Sequence, residues 1–229
     1  MGEVIVLAGG LGTRLRSEVP ELPKCLAPVS GRPFLSYIIN YLQKQQIQRF
    51  IFSLGYKSEQ VEQYLFQEFN RALDYVCVVE STPLDTGGAI HLAMGKTTTD
   101  NVLIVNGDTY FNIDTNSLIN FHSSVDAECT IALKCMQNFN RYGIVEVNES
   151  GSIFSFNEKK FYHEGLINGG VYLLNRNKFL NRSFEAKFSF EADYLKKFLI
   201  EKKFYGVVQD AYFIDIGIPE DFNRAQFEL

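Results

Sequence analysis

No run of Lys or Arg in this chain exceeds two residues, and 27 Asp and Glu outnumber 22 Lys and Arg. Nucleic-acid binding usually leaves a basic stripe, so that class is set aside. A small anionic substrate stays open, since a few well-placed cations serve it inside an acidic protein. Histidine is scarce: His91 falls in a helical pattern, His122 near a helix end and His163 in an expected loop. No Ser–His–Asp or His–Cys grouping forms around them, which removes the usual triad chemistry. The four cysteines (Cys25, Cys77, Cys129, Cys135) show no CxxC spacing, and three lie in apolar strand-like runs where a reduced, buried thiol is expected. No segment approaches 18 apolar residues, so no membrane insertion is expected. The start, MGEVIVLAGG, has no basic n-region, and its apolar run is too short for a secretory signal. Gly2 is followed at position 6 by Val rather than Ser or Thr, which argues against myristoylation. A cytoplasmic protein is the expectation.

What is present is a chain of 229 residues, 46% hydrophobic, without internal repeat, low-complexity stretch or linker. That suffices for one substantial core, and residues 1–229 read as a single domain. Strand-like runs at Val4–Leu7, Phe50–Leu54, Tyr75–Val79 and Val102–Val105 alternate with helical patterns at Phe34–Gln45, Glu59–Phe69 and Gly88–Met94. Strand, helix, strand, repeated three times, predicts a doubly wound, mainly parallel, Rossmann-like α/β sheet whose ligands bind at the carboxyl ends of the strands. Up to about residue 126 this is a nucleotide-binding half. From about 127 the texture becomes hairpin-rich, with short strands at Cys129–Cys135, Ile144–Val147, Ile153–Phe156 and Val171–Leu174. Asn148–Gly151 reads as a hairpin connection, with helices at Phe190–Leu199 and Glu220–Phe227 around a strand at Tyr212–Ile216.

The first strand runs into Ala8-Gly9-Gly10-Leu11-Gly12-Thr13-Arg14-Leu15. Glycines at a strand end let backbone N–H groups approach a phosphate. A P-loop would close with Gly-Lys-Ser/Thr, and a dinucleotide fingerprint would need a Gly where Leu15 stands; neither is met. What remains is a Gly loop with its own cation, Arg14, followed by Lys24 in Leu22-Pro23-Lys24. Arg grips two phosphate oxygens and Lys acts as a point charge, a pair that suits a triphosphate losing pyrophosphate. Asp108, just past the Val102–Val105 strand, and Asp215, after a distant strand, could together hold one Mg²⁺, which takes one or two protein carboxylates.

Leu7–Leu15 followed by Pro23-Lys24 resembles the signature of the sugar-phosphate nucleotidyltransferases. The likeness continues through Pro83–Ala89, Asn106-Gly107-Asp108, Glu158-Lys159, Asn168-Gly169-Gly170 and Asp215-Ile216-Gly217, in order along the chain. It implies transfer of a nucleoside monophosphate from an NTP to a sugar 1-phosphate, with release of pyrophosphate. Leu7, Ala8, Gly9, Gly10, Gly12 and Thr13 would then carry the nucleotide, with Arg14 and Lys24 as catalytic cations and Asp108 and Asp215 as Mg²⁺ ligands. Lys159 would hold the sugar phosphate, with Lys160 next to it as the alternative. Glu158 would accept from sugar hydroxyls, and Gly143, Asn168, Gly169 and Glu191 would complete that site. Glu158-Lys159 also fits a solvated charge cluster, and Glu191 a plain first-turn acid.

The loop from Glu80 through Pro83, Asp85, Thr86 and Gly87 lines the nucleobase in relatives. Guanine presents two adjacent donors that a carboxylate accepts together, so Glu80 and Asp85, with no Gln, favour GTP. Asp85 equally fits a helix cap. Among short members, Leu84–Ile90 looks most like the D-glycero-α-D-manno-heptose 1-phosphate guanylyltransferases, which implies GDP-heptose formation for surface polysaccharide. Two other readings stand beside this one: a uridylyltransferase for N-acetylmuramate 1-phosphate or a hexose 1-phosphate, and an inactive nucleotide-sugar-binding regulator of the same fold. The expected partners are an NTP and a sugar 1-phosphate, and homo-oligomerisation is left open.

Overall fold

A computed structural model describes residues 2–70, 72–201 and 203–229. Its frame is a seven-stranded sheet in the order β12 (Phe204–Val208), β8 (Cys129–Phe139), β11 (Tyr162–Asn175), β6 (Asn101–Asn106), β1 (Gly2–Leu7), β4 (Ile47–Leu54), β5 (Asp74–Val79). The interior strand β1 pairs in parallel with β4 on one side and the central β6 on the other, and β4 pairs in parallel with β5. These runs are β-branched and apolar because both faces are covered. Alternation divides their side chains: Val4, Val6, Phe50, Phe52, Leu103 and Val105 enter one core, while Ile5, Ile51, Val102 and Ile104 enter the other.

Helix α1 (Phe34–Lys44) buries Phe34, Leu35, Ile38, Ile39, Tyr41 and Leu42, one stripe at helical spacing, against the first core. Pro33 precedes it and biases the chain to enter from extended geometry. Helices α2 (Ser58–Phe69) and α6 (Pro219–Glu228) cover the same face, whereas α3 (Asp85–Met94) and the short α5 (Arg176–Leu180) lie on the opposite one. The mainly parallel α/β architecture expected from the alternating pattern is therefore present. No helix among the described residues is long and apolar enough to cross a membrane.

The second half departs from the expectation in its details. β8 (Cys129–Phe139) and β11 (Tyr162–Asn175) form a long antiparallel pair rather than short hairpins, and β11 is the only antiparallel strand of the seven. His163 consequently lies in a strand and not a loop. β12 (Phe204–Val208), the edge strand parallel to β8, is an addition to the reading, as is α4 (Thr115–Ser124), capped by Asp114. The Phe190–Leu199 helix is a π-helical stretch over Phe190–Lys196 followed by a 3₁₀ turn at Leu199–Glu201. The turn at Asn148–Gly151 does join an antiparallel pair, β9 (Val145–Val147) and β10 (Ile153–Phe156). The thiols depart too: Cys25 and Cys129 are buried, Cys77 is half-buried and Cys135 is exposed, because β8 runs on past the covered part of the sheet.

Two smaller pairings matter for the site. β2 (Pro28–Val29) pairs with β3 (Arg32–Pro33) just after Lys24, and β7 (Thr109–Phe111) pairs antiparallel with β13 (Phe213–Asp215). The second sets Thr109 opposite Asp215, so Asp108 and Asp215 meet although 107 residues separate 108 from 215. β11 breaks register between Asn168 and Tyr172, with Gly170 at φ 72°. A methyl on Gly169 would collide with Phe111, and one on Gly170 would come within 2.6 Å of Asn106 Nδ2. The two glycines let the strand pass β6 and β7 at the edge of the site.

His122 is buried in α4, and its Nδ1 meets Thr130 Oγ1 at 2.8 Å. Burial, and then the nearby Lys178 charge, push its pKa down from 6.5 to about 4. The folded state therefore holds it neutral. The stability it contributes is complete above about pH 6.5 and is lost as pH falls towards about 4. Thermal unfolding across that window should show a steeper loss in the native protein than in His122→Gln. Parallel pH profiles for the two would contradict this.

Candidate active site

The carboxyl ends of β1, β4, β5 and β6 open together, as a doubly wound sheet requires. Gly9, Gly10 and Gly12 follow β1. A methyl on Gly9 would sit 3.0 Å from Gly55 N, and Gly12 holds φ 59° with Lys24 Cβ 3.1 Å from where its own Cβ would stand. Gly10 faces open space. The loop is tethered from behind: Tyr56 N donates to Gly9 O (3.2 Å), Arg16 stacks on Tyr56, and Lys57 Nζ donates to the carbonyls of Pro20 and Glu21.

Three adjoining clefts follow. The first, about 290 Å³, is lined by Leu7, Ala8, the Gly10–Arg14 backbone, Lys24 and Asp108. Arg14 and Thr13 are exposed on its rim, and Arg14 has no ion pair among the described residues. The second, about 540 Å³, runs over Gly9, Ser53, Tyr56, Glu80, Pro83, Asp85 and Thr86. The third, about 170 Å³, is bounded by Tyr142, Gly143, Lys159, Asn168, Gly169, Glu191 and Asp215. Asp108 lines the first two and Asp215 the third, so the two acids stand where the clefts join.

At that junction Lys24 Nζ donates to Asp108 Oδ2 (2.5 Å) and lies 3.7 Å from Asp215 Oδ1. Thr109 Oγ1 donates to Asp108 Oδ1 (3.2 Å), and Gly217 N donates to Asp215 Oδ1 (2.7 Å). A side chain on Gly217 would fall within 2.9 Å of Lys24 Nζ, so the glycine leaves room for the ammonium. Among the described residues no third acidic, His or Cys ligand joins these carboxylates. Two carboxylates alone, beside a cleft that would bring phosphate oxygens, are a donor set that fits a divalent cation of the Mg²⁺ kind.

The residues of the loop that follows β5 divide. Glu80 Oε2 accepts Leu84 N–H (3.0 Å), so this acid also holds its own loop. Asp85 has φ 57°, caps nothing, and stands exposed 3.8 Å from Lys187. Asp85 is therefore not the helix cap that its position suggests. Gly87 is needed for packing, because a methyl there would strike Phe188.

Beside the third cleft, β10 ends at Phe156 and the chain bends at Lys159, the break that lets Lys159 turn into that cleft. Lys160 instead lies over the Tyr162 ring. Glu158 is not brought in. It points to solvent with its side chain 87% exposed and accepts from Lys196 Nζ (3.0 Å), which also lies 3.9 Å from Glu191. Asn168 lines the cleft but is already engaged, donating to Tyr172 OH and accepting from Gly170 N. A methyl on Gly143 would run into the Asn157 carbonyl, so two loops close only over a glycine. Arg141 and Tyr142 were not singled out from the sequence, yet both donate to Asp215 Oδ2, at 3.3 and 3.1 Å. Burial and the Asp215 charge push the Tyr142 hydroxyl pKa up, so it stays a donor. In the chain they stand just before Gly143, and their partner lies 74 positions from Arg141 and 73 from Tyr142.

Comparison with known proteins accords with this geometry. A family model described as nucleotidyl transferase matches residues 3–229. A D-glycero-alpha-D-manno-heptose 1-phosphate guanylyltransferase of Aneurinibacillus thermoaerophilus is 50% identical over 99% of this chain and 98% of its own. One from Campylobacter jejuni is 41% identical over 96% of each. The crystal structure of HddC from Yersinia pseudotuberculosis, also solved complexed with GMP-PN, superposes with a TM-score of 0.90 at 37% identity, covering 100% of this chain and 99% of that one.

Cys25 follows Lys24 directly. Burial, then the Asp108 charge, push its thiol up to about 12. Burial also pushes the Cys129 thiol up, while Cys135 stands exposed. Iodoacetamide at pH 8 should therefore alkylate Cys135 first and leave Cys25 and Cys129 intact in the native fold. Mass spectrometry showing Cys25 modified as fast as Cys135 would refute the closed packing beneath Lys24.

Proposed function

The chain belongs to the nucleotidyl transferase family, and we propose that it transfers GMP from GTP to D-glycero-α-D-manno-heptose 1-phosphate, forming GDP-heptose and pyrophosphate. The observation that carries this reading is the junction of three clefts on one charged centre, Lys24 with Asp108 and Asp215. A triphosphate lying over the glycine loop and a sugar phosphate entering beside Lys159 would meet there. Likeness over nearly the full length to two heptose 1-phosphate guanylyltransferases supports the substrate pair.

In this mechanism an oxygen of the sugar phosphate attacks the α-phosphorus in line, a P–O bond forms, and the bond to the β-phosphate breaks. The nucleophile is already anionic, so no general base is required. Catalysis is then positioning and charge stabilisation. Amides of Gly10–Gly12 and the Arg14 guanidinium take the β- and γ-phosphates, and Lys24 turns its ammonium to the oxygens between the reacting groups. Lys159 orients the incoming phosphate. Mg²⁺, held by Asp108 and Asp215, would neutralise phosphate charge as it develops. Glu80 and Asp85 offer acceptors to the two guanine donors. Four free thiols fit a reducing compartment, and the cytoplasm supplies both substrates in this reading.

The test is a pyrophosphate-release screen crossing four NTPs with heptose-, mannose-, glucose- and muramate-type 1-phosphates. GTP with the heptose should dominate, and a preference for UTP over GTP would sink the guanine reading. Lys24→Ala and Asp108→Ala should each lose about 10²–10³ in turnover. Near-full activity in either would overturn the assignment of the charged centre.

A further inference from the structure

Asp215 is the more constrained of the two acids. Its Oδ1 accepts from Gly217 N at 2.7 Å and faces Lys24, while its Oδ2 accepts from Tyr142 OH at 3.1 Å and from Arg141 Nη2 at 3.3 Å. A carboxylate free to rotate could exchange its two oxygens; this one is pinned by different donors on each. Arg141 is fixed in turn. Its Nη1 donates to Asp221, in the first turn of α6, and Asp221 is held further by Arg224 at 3.2 Å. Arg141, Asp215 and Asp221 keep only 16–24% of their side-chain surface, so water competes weakly for these contacts. The fork of one guanidinium therefore joins the C-terminal helix to the charged centre.

Resting on the metal-site reading above, we infer that Arg141 is a positioning residue: clamped by Asp221, it orients the Asp215 carboxylate so that Oδ1 is the oxygen offered to the divalent cation. Ligands oriented by outer hydrogen bonds bind metals more tightly than loose ones. A plain charge effect makes the opposite forecast for one of the two partners. Arg141→Gln removes a positive charge beside the site and Asp221→Asn removes a negative one, so by charge alone the first would tighten cation binding and the second weaken it. Orientation makes both weaken it.

The experiment titrates the full-length protein with Mn²⁺ alone, reading the free aqueous ion by electron paramagnetic resonance. Arg141→Gln and Asp221→Asn should each raise the Mn²⁺ dissociation constant about tenfold, with Tyr142→Phe raising it less. Arg141→Lys, which keeps the charge but loses the fork, should recover only part of the affinity. Shifts in opposite directions for Arg141→Gln and Asp221→Asn, or no shift in either, would overturn the inference. Should Arg141→Gln fail to fold, Tyr142→Phe, which removes a donor to Asp215 without changing charge, still decides, and unchanged binding there would overturn it. Asp108→Asn separates the two levels: if it binds Mn²⁺ as the native chain does, the metal-site reading itself falls. If it loses Mn²⁺ while the Arg141 and Asp221 variants do not, only the clamp is wrong.

Discussion

Two carboxylates from strands far apart in the chain meet at the open end of the sheet, and like charges brought that close need a cation between them. Lys24 supplies it, 2.5 Å from Asp108 and 3.7 Å from Asp215. Much of the surrounding architecture follows from keeping that arrangement accessible. Gly217 and Gly12 both lie where any side chain would crowd Lys24, and Pro23 enters the turn in extended geometry ahead of it. The β7–β13 pairing brings the acids together, and Arg141 and Tyr142 hold the second of them in place. A buried or half-buried charge group of this kind stabilises a fold weakly, because desolvation offsets most of the attraction. In the proposed mechanism the group serves chemistry instead: the ammonium that neutralises two acids is the one that would meet phosphate oxygens.

The sheet makes this possible by joining the two halves of the chain. β1, β4, β5 and β6 come from the first half and open on the first two clefts, while β11 from the second half inserts antiparallel beside β6. The break in β11 at Asn168–Tyr172 falls at their seam, beside Asn106 and Phe111. A regular strand would drive side chains into β6 and β7. The glycine pair avoids that and leaves the third cleft open next to the first.

Several features were legible beforehand because they are local. The Gly9–Arg14 loop, Lys24 and the alternation of buried strands with amphipathic helices each depend on neighbouring residues. Asp108 could be placed from the strand that precedes it. Glu158 failed to join the site because its direction is set by Lys196, on a helix whose π-helical turn no periodicity announced. Asp85 looked like a cap, but its left-handed backbone turns the carboxylate away from the helix amides. The edge strand β12 and helix α4 carried weaker patterns, and packing against β8 settles both.

By itself the sequence determined the class of fold, the glycine loop after the first strand and the charged residues that flank it. Those properties reside in residue type and short spacing, where glycine conformational freedom and apolar periodicity act directly. Only the tertiary structure decided that Lys24 lies between Asp108 and Asp215, that Lys159 rather than Lys160 lines the third cleft, and that Arg141 bridges Asp215 and the last helix. Each of these is a distance or a direction between groups far apart in the chain, fixed by strand register and packing, and no local pattern encodes it.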